Sequence, residues 1–164
     1  MYKAIEISKW FLAKNNAEHK INAGDGEYEG ISPLKMQKLL YYAQGIHLAL
    51  HDIPLFDDPI LAWPHGPVVN EVYQHYKGFG GNVIAHVFTE TDEIILDTIE
   101  NDPLAHESLE LTYANFAIYT AWQLRNMTHE KGSPWEVVYN SGKGNCEIEQ
   151  SDIKEYFLSN VIEN

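Results

Sequence analysis

Eight histidines and their acidic neighbours are the groups in this 164-residue chain that suggest chemistry. His47 and His51 stand four apart, the spacing that sets two imidazoles on one helix face for a metal. A zinc hydrolase of that kind needs a glutamate directly after the first histidine. Here that position is Leu48, and the spacing supplies no third ligand, so no metal site and no cofactor are expected. His129 next to Glu130, after Thr128, is a second candidate: a general base beside a carboxylate that orients it, with His65 as a third member if the fold brings its turn close. The competing reading makes Thr128 and His129 a structural corner between two helices. It is preferred, because polar groups in a connection must find partners. No G-x-S-x-G, P-loop or dinucleotide fingerprint occurs. The glycines at 78, 80 and 81 follow a helix rather than open one, which makes a poor phosphate cradle.

These residues depend on the stretch from Ile31 to Leu50. Ser32 caps a helix and Pro33 suits its first position, where a missing N–H costs nothing. Eighteen residues, 33–50, span roughly 27 Å. Met36, Leu39, Leu40, Ala43, Ile46 and Leu50 form one apolar stripe; Leu34, Tyr41 and Leu48 form another almost opposite. A helix apolar on two sides is packed on two sides, so this is the expected central helix. Its polar residues are the informative ones. Gln37 and Gln44 share a face, and Lys35 and Tyr42 another. Lys38 falls near Gly45 and Ala49, where small side chains let another segment come close. Most side-chain hydrogen bonds go to backbone or water, so the glutamines are read as bonding loop backbone. The alternative has Lys38, Tyr42 and the glutamines lining a recognition surface.

The composition is that of a folded chain, 45% hydrophobic and 12% aromatic. No apolar run approaches the roughly 18–20 residues that cross a bilayer. Glu6 stands where a signal peptide would be apolar. One cysteine, Cys146, excludes an internal disulfide, and a reducing cytoplasm is the expected setting. The net charge is −13, and residues 81–164 carry 15 acidic residues against 4 Lys/Arg. Such a surface repels phosphates, so direct nucleic-acid binding is not expected, whereas a basic protein would be attracted.

Along the chain, residues 2–16 read as a first helix, with Trp10 off its apolar stripe and Asn15-Asn16 as its end. A loop follows from Lys20 to Gly30, with a turn at Asp25-Gly26. Two prolines break the helix after His51. Ile60 to Trp63 reads as extended. Gly66-Pro67 reads as the entry to a helix bearing Val69, Val72, Tyr73 and Tyr76. Residues 83–97 suggest a short β-hairpin from their β-branched content. Asp102-Pro103 opens a further helix. Thr120/Gln123 and Ser133/Glu136 are capping boxes, and Ser151 caps the last helix.

Ser32 to Gly45 resembles the first signature of the Panacea domain family, bacterial and phage-associated proteins that include many antitoxins. Pro54-Leu55-Phe56, Ala62-Trp63, Gly66-Pro67-Val68 and Val72-Tyr73 resemble the second, with Asn70 where the family often has proline. Thr128-His129-Glu130, Pro134-Trp135 and Ser151 to Phe157 resemble the C-terminal pattern. The resemblance covers about 31–157 of what reads as one domain, 1–164. It implies a mainly α fold around the central helix, with minor strands.

By the same resemblance the protein is expected to be a non-enzymatic antitoxin. It would bind and neutralise a cognate toxin encoded next door, by covering it or by passing it to a protease. The expected contact residues are Lys35, Lys38, Tyr41, Tyr42, Gln44, Trp63 and Tyr73, since interfaces favour aromatic anchors. The expected framework residues are Ser32, Pro33, Gly66, Pro67, Thr128, His129, Pro134 and Trp135. The alternatives are a hydrolase built on His129, Glu130 and His65, and a phage-associated scaffold or proteolytic adaptor with no toxin.

Overall fold

The computed structural model describes residues 1–21, 30–142 and 144–162. The helix α2 (Pro33–His51) forms the axis, and every residue from Lys35 to Leu48 is buried. Ser32 Oγ accepts from the Lys35 N–H at 3.3 Å and Pro33 takes the first turn. At the other end Asp52 turns left-handed (φ +60°), and its N–H closes on the Leu48 carbonyl. Around α2 pack α1 (Ala4–Ile21), α5 (Pro103–Phe116), α6 (Ala121–Thr128) and α8 (Gln150–Phe157). The short helices α3 (Asn70–Tyr76), α4 (Glu90–Glu100) and α7 (Pro134–Asn140) complete the shell.

Among the described residues the sheet is one antiparallel hairpin, β1 (Leu61–Trp63) on β2 (Gly66–Val68), with Leu61 opposite Val68 and Trp63 opposite Gly66. Gly66 has φ +112°, a backbone conformation that side chains rarely adopt. The segment 145–148 lies along β1: Ala62 N–H donates to the Cys146 carbonyl at 2.8 Å and Ile148 N–H to the Ile60 carbonyl at 2.8 Å.

Two side chains of α2 pin the loops. Gln37 exchanges both bonds with Val69, donating to its carbonyl (3.2 Å) and accepting its N–H (2.8 Å). Gln44 donates to the Phe56 carbonyl (2.8 Å) and accepts the N–H groups of Leu55 (2.8 Å) and Phe56 (3.2 Å). Each amide stands in for a peptide unit, as the backbone reading of these glutamines expects. At Gly45 another segment does come close: Phe157 of α8 packs directly on it.

Several boundaries differ from the sequence reading. The hairpin expected near 83–97 is absent; residues 93–97 lie in α4. The reason is a reciprocal cap, Thr89 Oγ1 on the Asp92 N–H and Asp92 Oδ2 on the Thr89 N–H, with three acidic residues in a first turn that favours them. Asp92 is tied further to Lys9 (2.7 Å) and His86 (2.9 Å), which draw its carboxyl below the usual range. Gly66-Pro67 belongs to the hairpin, and α3 begins only at Asn70. The first helix runs past Asn16 to Ile21, and Trp10 is buried with its indole N–H on Glu100. The last helix starts after Glu149, so Ser151 lies inside it. At 133–136 the box is half-formed: Ser133 Oγ takes the Glu136 N–H, while Glu136 reaches Gly132 instead. The turn expected at Asp25-Gly26 lies outside the described residues.

Candidate functional site

Of the expected contact residues, Lys35, Lys38, Tyr41, Tyr42 and Gln44 are all buried rather than at the surface. The cause is that α2 is enclosed on every side rather than on two. Lys35 Nζ donates to the Ala117 carbonyl at 2.6 Å and Lys38 Nζ to the Pro67 carbonyl at 3.0 Å. Tyr42 stacks on Phe116 with centroids 4.0 Å apart, and Tyr41 meets Phe157 edge-on at 5.3 Å. The remaining two expected contact residues do reach the surface. Trp63 is half-buried and Tyr73 exposed, their rings 5.0 Å apart and edge to face.

The framework residues meet in one corner. Trp135 N–H donates to the Trp63 carbonyl at 2.6 Å, and Ser133 Oγ to the Thr128 carbonyl at 2.9 Å. His129 stacks on Trp135 at 3.6 Å, and Trp135 on Tyr139 at 4.7 Å. A Cβ at Gly66 would lie 2.9 Å from Lys38 Nζ and 3.0 Å from Thr128 Oγ1, so only glycine lets the hairpin approach this corner. The base-and-orienter pair needed for a hydrolase is not assembled. Glu130 points to the Tyr156 hydroxyl at 3.5 Å, and His129 is held by its stack on Trp135.

Burial, then the Arg125 guanidinium, lowers His129 to about 4, against the raising effect of the His65 backbone. Burial, then His51, lowers His47 to about 4. Unfolded, both rings titrate near 6.5. As pH falls from 6.5 to 4 the unfolded chain takes up protons that the folded chain refuses. Stability is therefore full above about pH 6.5 and declines toward pH 4. Urea midpoints measured from pH 7 to 4 should fall, and His129→Gln should flatten part of that fall. A variant with the parental profile would contradict this assignment.

The spacing of His47 and His51 does not make a ligand pair. His47 Nδ1 is bonded to Ser108 Oγ at 2.9 Å, and His51 Nε2 faces Glu107 at 3.3 Å. Glu100, His106 and Glu110 bring ligand atoms within 4.8 Å of one another. They are already engaged: Glu100 with Trp10 and His106, Glu110 with Lys14 at 3.0 Å. That grouping reads as an ion-pair network.

What the sequence reading missed lies at the start of α6. The turn from α5 into α6 exposes Ile118 (80%), Trp122 (56%) and Tyr119 (37%). Ile118 also borders a hollow of about 710 Å³, lined besides by Tyr113, Ala114 and Ala117 and rimmed by Lys14, Glu18, Lys35 and Glu110. The signal in the sequence was Ile118-Tyr119 directly before the Thr120 cap, since residues flanking a cap sit at the surface unless something covers them. Among the described residues, no helix is long and apolar enough to cross a membrane.

The model of the antitoxin SocA-like Panacea domain matches residues 36–136, from α2 into α7. Antitoxin SocA of Caulobacter vibrioides (strain NA1000 / CB15N) is 32% identical over 114 residues, covering 67% of this chain. The chain spans 61% of that relative's length. No solved structure matches significantly. The enclosed helix with its two signature glutamines, the Gly66-Pro67 hairpin and the Thr128–Trp135 corner all fall in the matched region, and the chain belongs to the antitoxin SocA-like Panacea domain family.

Proposed function

We propose that this protein is an antitoxin that binds a cognate toxin directly in the cytoplasm, the toxin being encoded beside it. The observation that supports this most is the apolar corner of Ile118, Tyr119 and Trp122 next to the hollow. Large apolar side chains exposed together are unusual on a monomer and mark interaction sites. Tryptophan and tyrosine are the side chains that anchor interfaces most often. The charge of −13 favours a basic toxin and speeds the encounter. Half-buried Trp63 and exposed Tyr73 remain further candidates for contact. The function is one of binding, with no residue given a catalytic role.

Trp122→Ala and Ile118→Asp change exposed positions and should leave the circular dichroism spectrum intact. Each is expected to weaken the complex about 30-fold or more, an anchor being worth about 2 kcal/mol or more. Calorimetry with the purified neighbouring gene product, together with rescue of growth on co-expression, reads the effect. Full affinity and full rescue in both variants would place the contact elsewhere. A neighbour that neither binds nor harms the cell would overturn the antitoxin reading itself.

A further inference from the structure

We propose that the corner where α2, the hairpin and the end of α6 meet binds a small oxyanion, a phosphate or a carboxylate, on Lys38, Arg125 and His129. This site adjoins the apolar corner, Arg125 lying over the Trp122 ring, but does not rest on the antitoxin reading.

Lys38 forms the floor and is fully buried. An ammonium has three N–H donors, and among the described residues its one acceptor is the Pro67 carbonyl. Gly66 brings the hairpin backbone against it, with Thr128 Oγ1 alongside. Arg125 has one terminal nitrogen on Asn126 Oδ1 at 3.1 Å and lies over the Trp122 ring at 4.6 Å. Its Nε is buried, as is Nε2 of His129, and among the described residues neither has a hydrogen-bond partner. Both are directed donors, Nε2 when the imidazole is protonated, and buried polar atoms of this kind rarely go unpaired. His65 stands at the exposed turn in front of them, and Arg125 and His129 are partly open to solvent.

The charges point the same way. The chain has 24 acidic residues and 11 Lys/Arg, yet this corner collects basic groups. The hairpin contributes His65; α6 and its C-terminal cap contribute Arg125 and His129. Arg125 acts on Lys38, and Arg125, Lys38 and His65 act on His129, all disfavouring positive charge. Glu130 is turned to Tyr156. A buried ammonium beside a guanidinium, with no ion pair to either among the described residues, is costly. An oxyanion among them replaces that repulsion with charge-assisted hydrogen bonds on a frame already fixed by the Trp135 stack. Binding therefore draws in a proton, on Lys38 or His129.

The test titrates the protein labelled with ¹³C at lysine Cε, at constant ionic strength set with sodium chloride, with and without millimolar phosphate or acetate. At least one of the two anions should raise the Lys38 titration midpoint and the thermal unfolding midpoint together. Lys38→Met should abolish the thermal response, and Arg125→Gln should weaken the apparent affinity about tenfold or more. A response to phosphate alone assigns a phosphoryl ligand; an equal response to acetate assigns a carboxylate. A Lys38 midpoint that neither anion moves overturns the site, as does a thermal response that Lys38→Met retains.

Discussion

Gly45→Ala is expected to destabilise the protein by about 2 kcal/mol or more, although in an exposed helix the same change would stabilise by about 1 kcal/mol. The sign is decided by Phe157. A Cβ at Gly45 would overlap three carbons of its ring. The ring cannot simply swing away, since it is fully buried between Tyr41 (5.3 Å) and Tyr42 (5.7 Å). Relief requires α8 to lift from α2, which would open the core around Ile153 as well. Urea unfolding followed by circular dichroism measures the loss. The control is Phe157→Leu, which shortens the obstructing side chain. The double variant should lose less than the sum of the singles, with a coupling of about 1 kcal/mol or more. Strict additivity would mean that the contact does not set the packing of α8.

How far the sequence reached depends on whether a feature is local. Ser32-Pro33, Asp102-Pro103 and the Thr120/Gln123 box cap helices through atoms three residues apart, and all three appear in the structure as read. The Thr89/Asp92 cap is of the same kind, but it follows strand-like residues, Val83 to Phe88, that form no strand in the fold. Gly66-Pro67 has the chemistry of a helix entry and of a hairpin alike. The hairpin forms because residues 145–148 pair with β1 and Lys38 reaches the Pro67 carbonyl, contacts no window around residue 66 contains.

The candidate site failed to show for a related reason. Polar positions on α2 look like an outer face when placed on a wheel. In the fold they are consumed by partners far along the chain: Gln37 by Val69, Gln44 by Phe56, Lys35 by Ala117. Burial of such groups is tolerable only with those bonds, since each one left unpaired costs about 1–3 kcal/mol. The exposed corner at Ile118 and Trp122 carries no periodic signal, because it lies across a turn between two helices.

Lys38→Met should make the protein more stable at neutral pH. Burial, with Arg125 adding to it, brings the Lys38 ammonium down from 10.5 to about 7. Between those values the unfolded chain keeps a proton that the folded chain has released, so the lysine's contribution to stability improves as pH rises from about 7 to 10.5. Below about pH 7 both states are charged and the full penalty applies, on the order of 4 kcal/mol for a gap of this size. Methionine has similar length and no charge to desolvate. Its cost is the bond to the Pro67 carbonyl, about 1–3 kcal/mol. The balance favours the variant by on the order of 1–3 kcal/mol at pH 7. Its urea midpoint should also vary less than the parent's between pH 7 and 10. A variant weaker than the parent at pH 7, with the parent's pH dependence, would show that Lys38 is already compensated. The expected result would instead mean that the chain keeps a destabilising lysine at the floor of its basic corner, as it would if a bound anion supplies the missing charge.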